Sequence, residues 1–137
     1  MNNECLFCKI VSGDIPAEKI YEDENTLAFL DINPVNPGHV LVIPKAHAEN
    51  LDDISESDYL SVQKTVKFLA PKIAKAVSAC GYNIGQNNKS CSGQVVMHLH
   101  VHIMPRFEDD GYELWHGKAY ASDDVMQEIV NKIKSLL

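Results

Sequence analysis

The sequence predicts an α+β domain: an antiparallel sheet of about five strands, one long helix and a C-terminal helix. Three observations carry this. Short runs of strand character bounded by turn residues lie at 19–31, 39–44, 82–86 and 97–104. Apolar residues three or four apart repeat from about Ser57 to Cys80 and again after Ser122. No repeat, low-complexity tract or linker divides the 137 residues, which predicts a single domain over 1–137.

In order, Cys5-Leu6-Phe7-Cys8 is a C-x-x-C pair, either half of a zinc site or a redox dithiol. Gly13-Asp14-Ile15-Pro16 reads as a turn. Lys19–Glu22 and Thr26–Asp31 flank the polar Asp23-Glu24-Asn25 and read as a hairpin. The prolines and glycine of Asn33–Gly38 make a loop, and His39–Pro44 is apolar enough for a strand buried on both faces. His47 follows in a loop.

The long helix should start at an N-cap Ser55 and stop at Gly81, bury Cys80 and bend at Pro71, with two shorter helices as the alternative. Tyr82–Gln86 reads as a fourth strand, and Asn87–Gln94 as a polar loop of the kind that suits an oxyanion. After Arg106 the chain is acidic and aperiodic. A last helix then follows Ser122, with Val125, Met126, Ile129, Val130, Ile133 and Leu136 on its apolar face.

A net charge of −7 and a pI near 5.2 exclude a general nucleic-acid groove or membrane surface as the expected partner, though not a local site for one phosphate. No apolar run is long enough to span a bilayer, and Met1-Asn2-Asn3-Glu4 does not read as a signal peptide. The expectation is a cytoplasmic protein, in which cysteines serve as metal ligands or buried thiols rather than disulfides.

The chemistry gathers in Met97-His98-Leu99-His100-Val101-His102-Ile103-Met104. Its strict alternation predicts a strand with His98, His100 and His102 on one face and Leu99, Val101 and Ile103 in the core. Three aligned imidazoles could bind a metal, or divide the work of attack, proton transfer and orientation. Asp31 is the one well-placed carboxylate of the sheet region, too few acids for a two-metal phosphatase, which favours attack by imidazole on phosphorus.

His98–Met104 resembles the histidine triad (HIT) motif, His-φ-His-φ-His-φ-φ. Phe7-Cys8-Lys9-Ile10, Gly13-Asp14-Ile15-Pro16, Ala28–Ile32, Gly38–Lys45 and Gly93-Gln94 stand in that family's order and spacing, covering residues 5 to about 107. Residues 108–137 are a C-terminal extension with a helix, matched by no motif. The resemblance is closest to bacterial-type members that begin with Cys-x-x-Cys. It implies the HIT-like fold, a homodimer with joined sheets, and hydrolysis at the α-phosphate of a purine nucleotide conjugate: a phosphoramidate, an adenylyl conjugate or a dinucleoside polyphosphate.

By the same resemblance His100 is the nucleophile, forming a nucleotidyl-histidine that water cleaves. His102 serves the phosphate and leaving group, and His98 and His39 support and orient. Asp31 is placed for the ribose hydroxyls, Leu6, Phe7, Ile10, Phe29 and Ile32 for the base, and Asn87 and Gln94 for the phosphate. The Cys-x-x-Cys members imply one structural zinc per chain on Cys5, Cys8, His47 and His98. Two departures from related patterns matter. Val95 stands where many members carry Ser or Thr after Gly-Gln. A lost hydrogen bond to a charged group costs about 1.5–3 kcal/mol, or about ten- to a hundredfold in rate. That leaves a nucleotide-binding regulatory module with little turnover as the alternative function. His102 stands where the uridylyltransferase branch has glutamine, which implies hydrolysis over transfer.

Overall fold

The computed structural model describes residues 4–137. Its sheet has the order β1-β2-β3-β5-β4, with every neighbouring pair antiparallel. The strands are β1 (Lys19–Glu22), β2 (Thr26–Leu30), β3 (Val40–Pro44), β4 (Gly81–Gly85) and β5 (Val101–Arg106). The helices are α1 (Leu6–Ser12), α2 (Glu56–Ala76) and α3 (Asp123–Lys134).

Alternation along the central strands sorts their side chains between two faces. Val40, Val42, Val101 and Ile103 join Val62, Val66 and Leu69 of α2 in one core. Leu27, Phe29, Leu41 and Ile43 pack with Phe7, Cys8 and Ile10 of α1 in a second. His102 is in register with Leu41 and so lies on the α1 face. β3 is buried along its whole length, as its apolar run predicts.

Helix α2 is continuous through Pro71 and is N-capped by Ser55, which accepts from the Asp58 N–H at 3.1 Å. It ends sooner than Gly81. Ser78 takes a left-handed φ of 56°, while the Ala79 and Ser78 N–H groups return to the carbonyls of Ala74 and Lys75. This Schellman closure uses serine where glycine is usual. The chain must leave the helix here because Cys80 N–H already pairs with the Arg106 carbonyl at 3.0 Å, opening the β4–β5 ladder. Cys80 is therefore exposed, contrary to the burial its helical spacing suggests.

The histidine segment also departs from its pattern. Regular pairing starts only at Val101, because the main chain turns at Val96, where His98 N–H bonds its carbonyl, and Leu99 N–H reaches the Ala48 carbonyl. Past β5, Asp110 gathers Arg106, Asn36 Nδ2 and the Phe107 and Tyr112 N–H groups. The rest of the extension buries no residue, with only Met126, Ile129 and Val130 half-buried. Trp115 is 96% accessible and α3 buries no residue, although Ser122 caps it as expected. No helix among the described residues is long and apolar enough to cross a membrane.

Candidate active site and metal centre

The end of β3 and the chain before β5 bring together residues distant in sequence. Pro44 ends β3 and turns the chain so that His47 meets the first triad histidine. His98 Nε2 donates to the Pro44 carbonyl at 2.9 Å, which leaves Nδ1 as a lone pair. That Nδ1 lies 3.4 Å from Cys5 Sγ, 3.7 Å from Cys8 Sγ and 3.4 Å from His47 Nδ1. Cys8 Sγ lies 3.5 Å from His47 Nδ1. Ligands at the edges of a tetrahedral zinc shell, with bonds near 2.0–2.3 Å, stand about 3.4–3.8 Å apart. The four donors thus meet the spacing and chemistry of a closed Cys₂His₂ shell, and they could hold a metal ion.

Burial, partly offset by the Pro44 carbonyl, pushes His98 down to about 4. It is therefore neutral at pH 7, as a metal ligand must be. Phe7 of α1 stands edge-on to both His98 and His100, with ring centres at 5.9 and 5.3 Å. This places the C-x-x-C helix against the histidine row.

His100, 7% exposed, has the opposite tautomer. Its Nδ1 donates to the His98 carbonyl at 2.7 Å, so Nε2 is the unprotonated nitrogen. Burial lowers its basicity from the ordinary histidine value, against the His98 carbonyl and the Asp31 charge. The base is consequently free at neutral pH. Its ring centre stands 5.0 Å from that of His102.

A chain of hydrogen bonds fixes the third tautomer. Val35 N–H donates to His39 Nδ1 at 3.1 Å, so the proton of neutral His39 sits on Nε2. That nitrogen is 2.9 Å from His102 Nδ1 and 3.7 Å from Asp31 Oδ2. It donates to His102, whose own proton is thereby left on Nε2. Burial, with the neighbouring His100 and His39, pushes His102 down to about 4, and burial likewise lowers His39. Asp31, His39 and His102 are close enough to share an ion, but a protonated His39 Nε2 is no ligand, and the trio is a hydrogen-bonded chain that fixes the His102 tautomer. Asp31 comes beside His39 because pairing of β2 with β3 continues one residue further, Asp31 N–H to the His39 carbonyl at 2.9 Å.

The remaining site candidates separate by placement. Phe7, Ile10 and Phe29 are buried, whereas Leu6 is 44% and Ile32 91% exposed. Asn87 Nδ2 donates to the Gly93 carbonyl at 3.3 Å and retains a second hydrogen. Gly93, at φ 94°, is in close contact with that amide: a Cβ there would stand 3.3 Å from Asn87 Nδ2. Gln94 is buried with all its polar atoms bonded to main chain. Val95 is 87% exposed. Sequence reasoning missed Val35, Pro44 and the Asn36–Arg106–Asp110 network. The only signal for the last was an arginine four residues before an aspartate.

A family model described as the HIT domain matches residues 12–109. An uncharacterised HIT-like protein of Methanocaldococcus jannaschii is 46% identical over 127 residues, 91% of this chain and 98% of its own. The adenosine 5′-monophosphoramidase of Schizosaccharomyces pombe is 40% identical over 136 residues, covering 95% and 98%. Among solved structures, a HIT family member from Bacillus subtilis superposes with a TM-score of 0.89 at 40% identity, over 99% of this chain and 98% of that one. A zinc-bound histidine triad family protein from Mycobacterium smegmatis gives 0.76 at 35% identity, over 97% of each.

Proposed function

This chain belongs to the HIT family, and from that premise we propose that it is a nucleotidyl hydrolase acting at the α-phosphate of purine nucleotide conjugates. The observation that carries the proposal is the His98 carbonyl on His100 Nδ1, which leaves Nε2 unprotonated as the nucleophile. Nε2 attacks the α-phosphorus as the bond to the departing amine or oxygen breaks. The His102 Nε2–H hydrogen-bonds the departing atom, which takes its proton from solvent. Water then attacks the nucleotidyl-histidine, its proton passes to solvent, and the released nucleotide leaves His100 free again. His39 holds His102 in the donor tautomer throughout. Asp31 takes the ribose hydroxyls, Phe7, Ile10 and Phe29 border the base, with the more exposed Leu6 and Ile32 at its edge, and Asn87 contributes its remaining amide hydrogen to the phosphate.

Zinc is the metal proposed for Cys5, Cys8, His47 and His98. It would supply structural cross-linking of α1 to the histidine row, and those four residues leave no open position for substrate. A homodimer is also proposed: β4 is an edge strand whose Tyr82 and Ile84 are each more than 40% exposed, and α3 buries nothing within one chain. Sedimentation velocity should return a dimer.

The test of the activity is a panel of adenosine phosphoramidate, adenylyl conjugates and dinucleoside polyphosphates on purified protein, with His100→Gly as control. Turnover of at least one substrate, lost in the variant, is expected; turnover retained by His100→Gly would sink the mechanism. The exposed Val95, which offers no side-chain hydrogen bond, favours one second reading, a nucleotide-binding regulatory module. That reading predicts nucleotide binding with no covalent adduct.

A further inference from the structure

We infer that Gln94 is a positioning residue, clasping three main-chain segments that frame the histidine row, and that it does not itself hold the substrate phosphate. This rests on the hydrolase reading for its catalytic consequence, while the clasp rests on geometry alone. Gln94 is 3% exposed. Its Oε1 accepts the Lys89 N–H at 2.7 Å, and its Nε2 donates to the carbonyls of Glu49 at 2.6 Å and Val96 at 3.0 Å. A carboxamide owns two donor hydrogens, and both are spent. Flipping the group would set its oxygen against two carbonyls and its NH₂ against an N–H, so the partners fix the assignment. The oxygen is an acceptor and cannot serve an anion.

One side chain thus joins three segments of main chain. Glu49 follows β3 and His47, Lys89 lies in the β4–β5 loop, and Val96 opens the approach to His98. The link continues as a short zipper, because Leu99 N–H bonds the Ala48 carbonyl at 2.7 Å and His98 N–H bonds Val96 at 2.9 Å. Gln94 therefore sets the register in which residues 94–99 lie along 48–49, and with it the carbonyl of His98 that fixes the His100 tautomer.

Lys89 supplies a second, independent sign that this corner is built under constraint. Its φ of 70° and ψ of 157° lie where residues other than glycine are disfavoured. The residue is held there from both sides: its N–H by the Gln94 side chain, its carbonyl by the Ser92 and Gln94 N–H groups at 3.1 and 3.3 Å. Its ammonium pairs with Asp52, in the same loop as Glu49. Asn87, in contrast, keeps a side-chain hydrogen beyond its bond to the Gly93 carbonyl, and Gln94 places the loop.

The test combines amide hydrogen exchange with kinetics, using AMP as the binding probe and an adenosine phosphoramidate as substrate. In wild-type protein the Lys89 amide should stay protected with and without AMP. Gln94→Glu keeps the acceptor for Lys89 and loses both donors; it should retain Lys89 protection but lower kcat. Gln94→Ala should speed Lys89 exchange about tenfold, the worth of one main-chain hydrogen bond of ordinary strength. It should lower kcat by about tenfold or more while KM moves less than about threefold. Loss of Lys89 protection when AMP binds to wild-type protein would overturn the clasp, as would an Ala variant with weakened AMP binding at unchanged kcat. The wild-type measurement stands even where the Ala variant fails to fold. A chain that turned over none of these substrates would sink the hydrolase reading, while the exchange pattern still decides the clasp.

Discussion

His98 and His102 are the two ends of one histidine row, set to different chemistry by main-chain atoms. His98 gives its Nε2 proton to Pro44 and turns a bare Nδ1 to two thiols and a second imidazole. His102 receives a proton at Nδ1 from His39 and keeps its own on Nε2. Both are pushed down to about 4, mainly by burial, yet one turns a bare nitrogen to a possible metal and the other an N–H to the open site. The lesson is that a histidine's neighbours decide its role through the nitrogen they occupy, more than through how far its pKa is moved. Between them, His100 takes the Nδ1–H tautomer from the His98 carbonyl, so the His98 end also sets which nitrogen of His100 is bare.

Substitutions at either end, or between them, separate the two roles. The largest effect belongs to the middle: His100→Gly should cut kcat/KM on the order of 10⁴-fold or more, with zinc content unchanged. Next, Cys8→Ser or His47→Ala should abolish stoichiometric zinc. Metal-linked stability of on the order of 3 kcal/mol or more should go with it, lowering the midpoint by about 10 °C. A variant that lost activity but kept both zinc and midpoint would break the assignment of that end. His39→Ala removes the donor that orients His102 and should lower kcat by about ten- to a hundredfold, with KM little moved.

The same neutral row sets the pH profile. His39, His100 and His102 are all less basic than a free imidazole, whose pKa is about 6.5. Activity should therefore hold above that pH and fall as acid protonates the row. Stability follows the same sign: the unfolded chain binds these protons first, so stability present above about 6.5 is lost on acidification toward the lowered folded values. An acid limb of kcat/KM lying above pH 7 would contradict the neutral row. Smaller still, Val95→Ser should restore a hydroxyl beside the phosphate loop and raise turnover by up to about tenfold. The smallest change lies away from the row: Ser78→Gly relieves the left-handed cap of α2 and should add about 1 kcal/mol, measured by chemical denaturation.

The first three strands were legible because turn residues bound short runs, two of which are apolar enough to be buried on both faces. That is why β1, β2 and β3 lie within a residue of their expected places. The histidine strand was less so. Its alternation is perfect in sequence, but hydrogen bonds from Leu99 to Ala48 and from His98 to Val96 divert the main chain before Val101, and composition carries no trace of them. Cys80 fits a helical face by spacing, yet the Ser78 turn releases it to solvent. At the site, the four metal donors could be named from Cys5, Cys8, His47 and His98 by family resemblance. The tautomers could not, since they come from the carbonyls of Pro44 and His98 and the N–H of Val35, atoms every residue owns. Gln94 shows the same limit: its bonds to the main chain of Lys89, Glu49 and Val96 leave no mark in the sequence.

The measurement that bears most directly on the division of the row is a rapid alkaline quench of turnover, followed by peptide mass mapping. The account predicts one nucleotidyl group on the peptide 98–102, assigned to His100, present in the wild type and enriched in His102→Ala. An adduct on His98 or His102, or substrate consumed with no adduct at any time point, would contradict it.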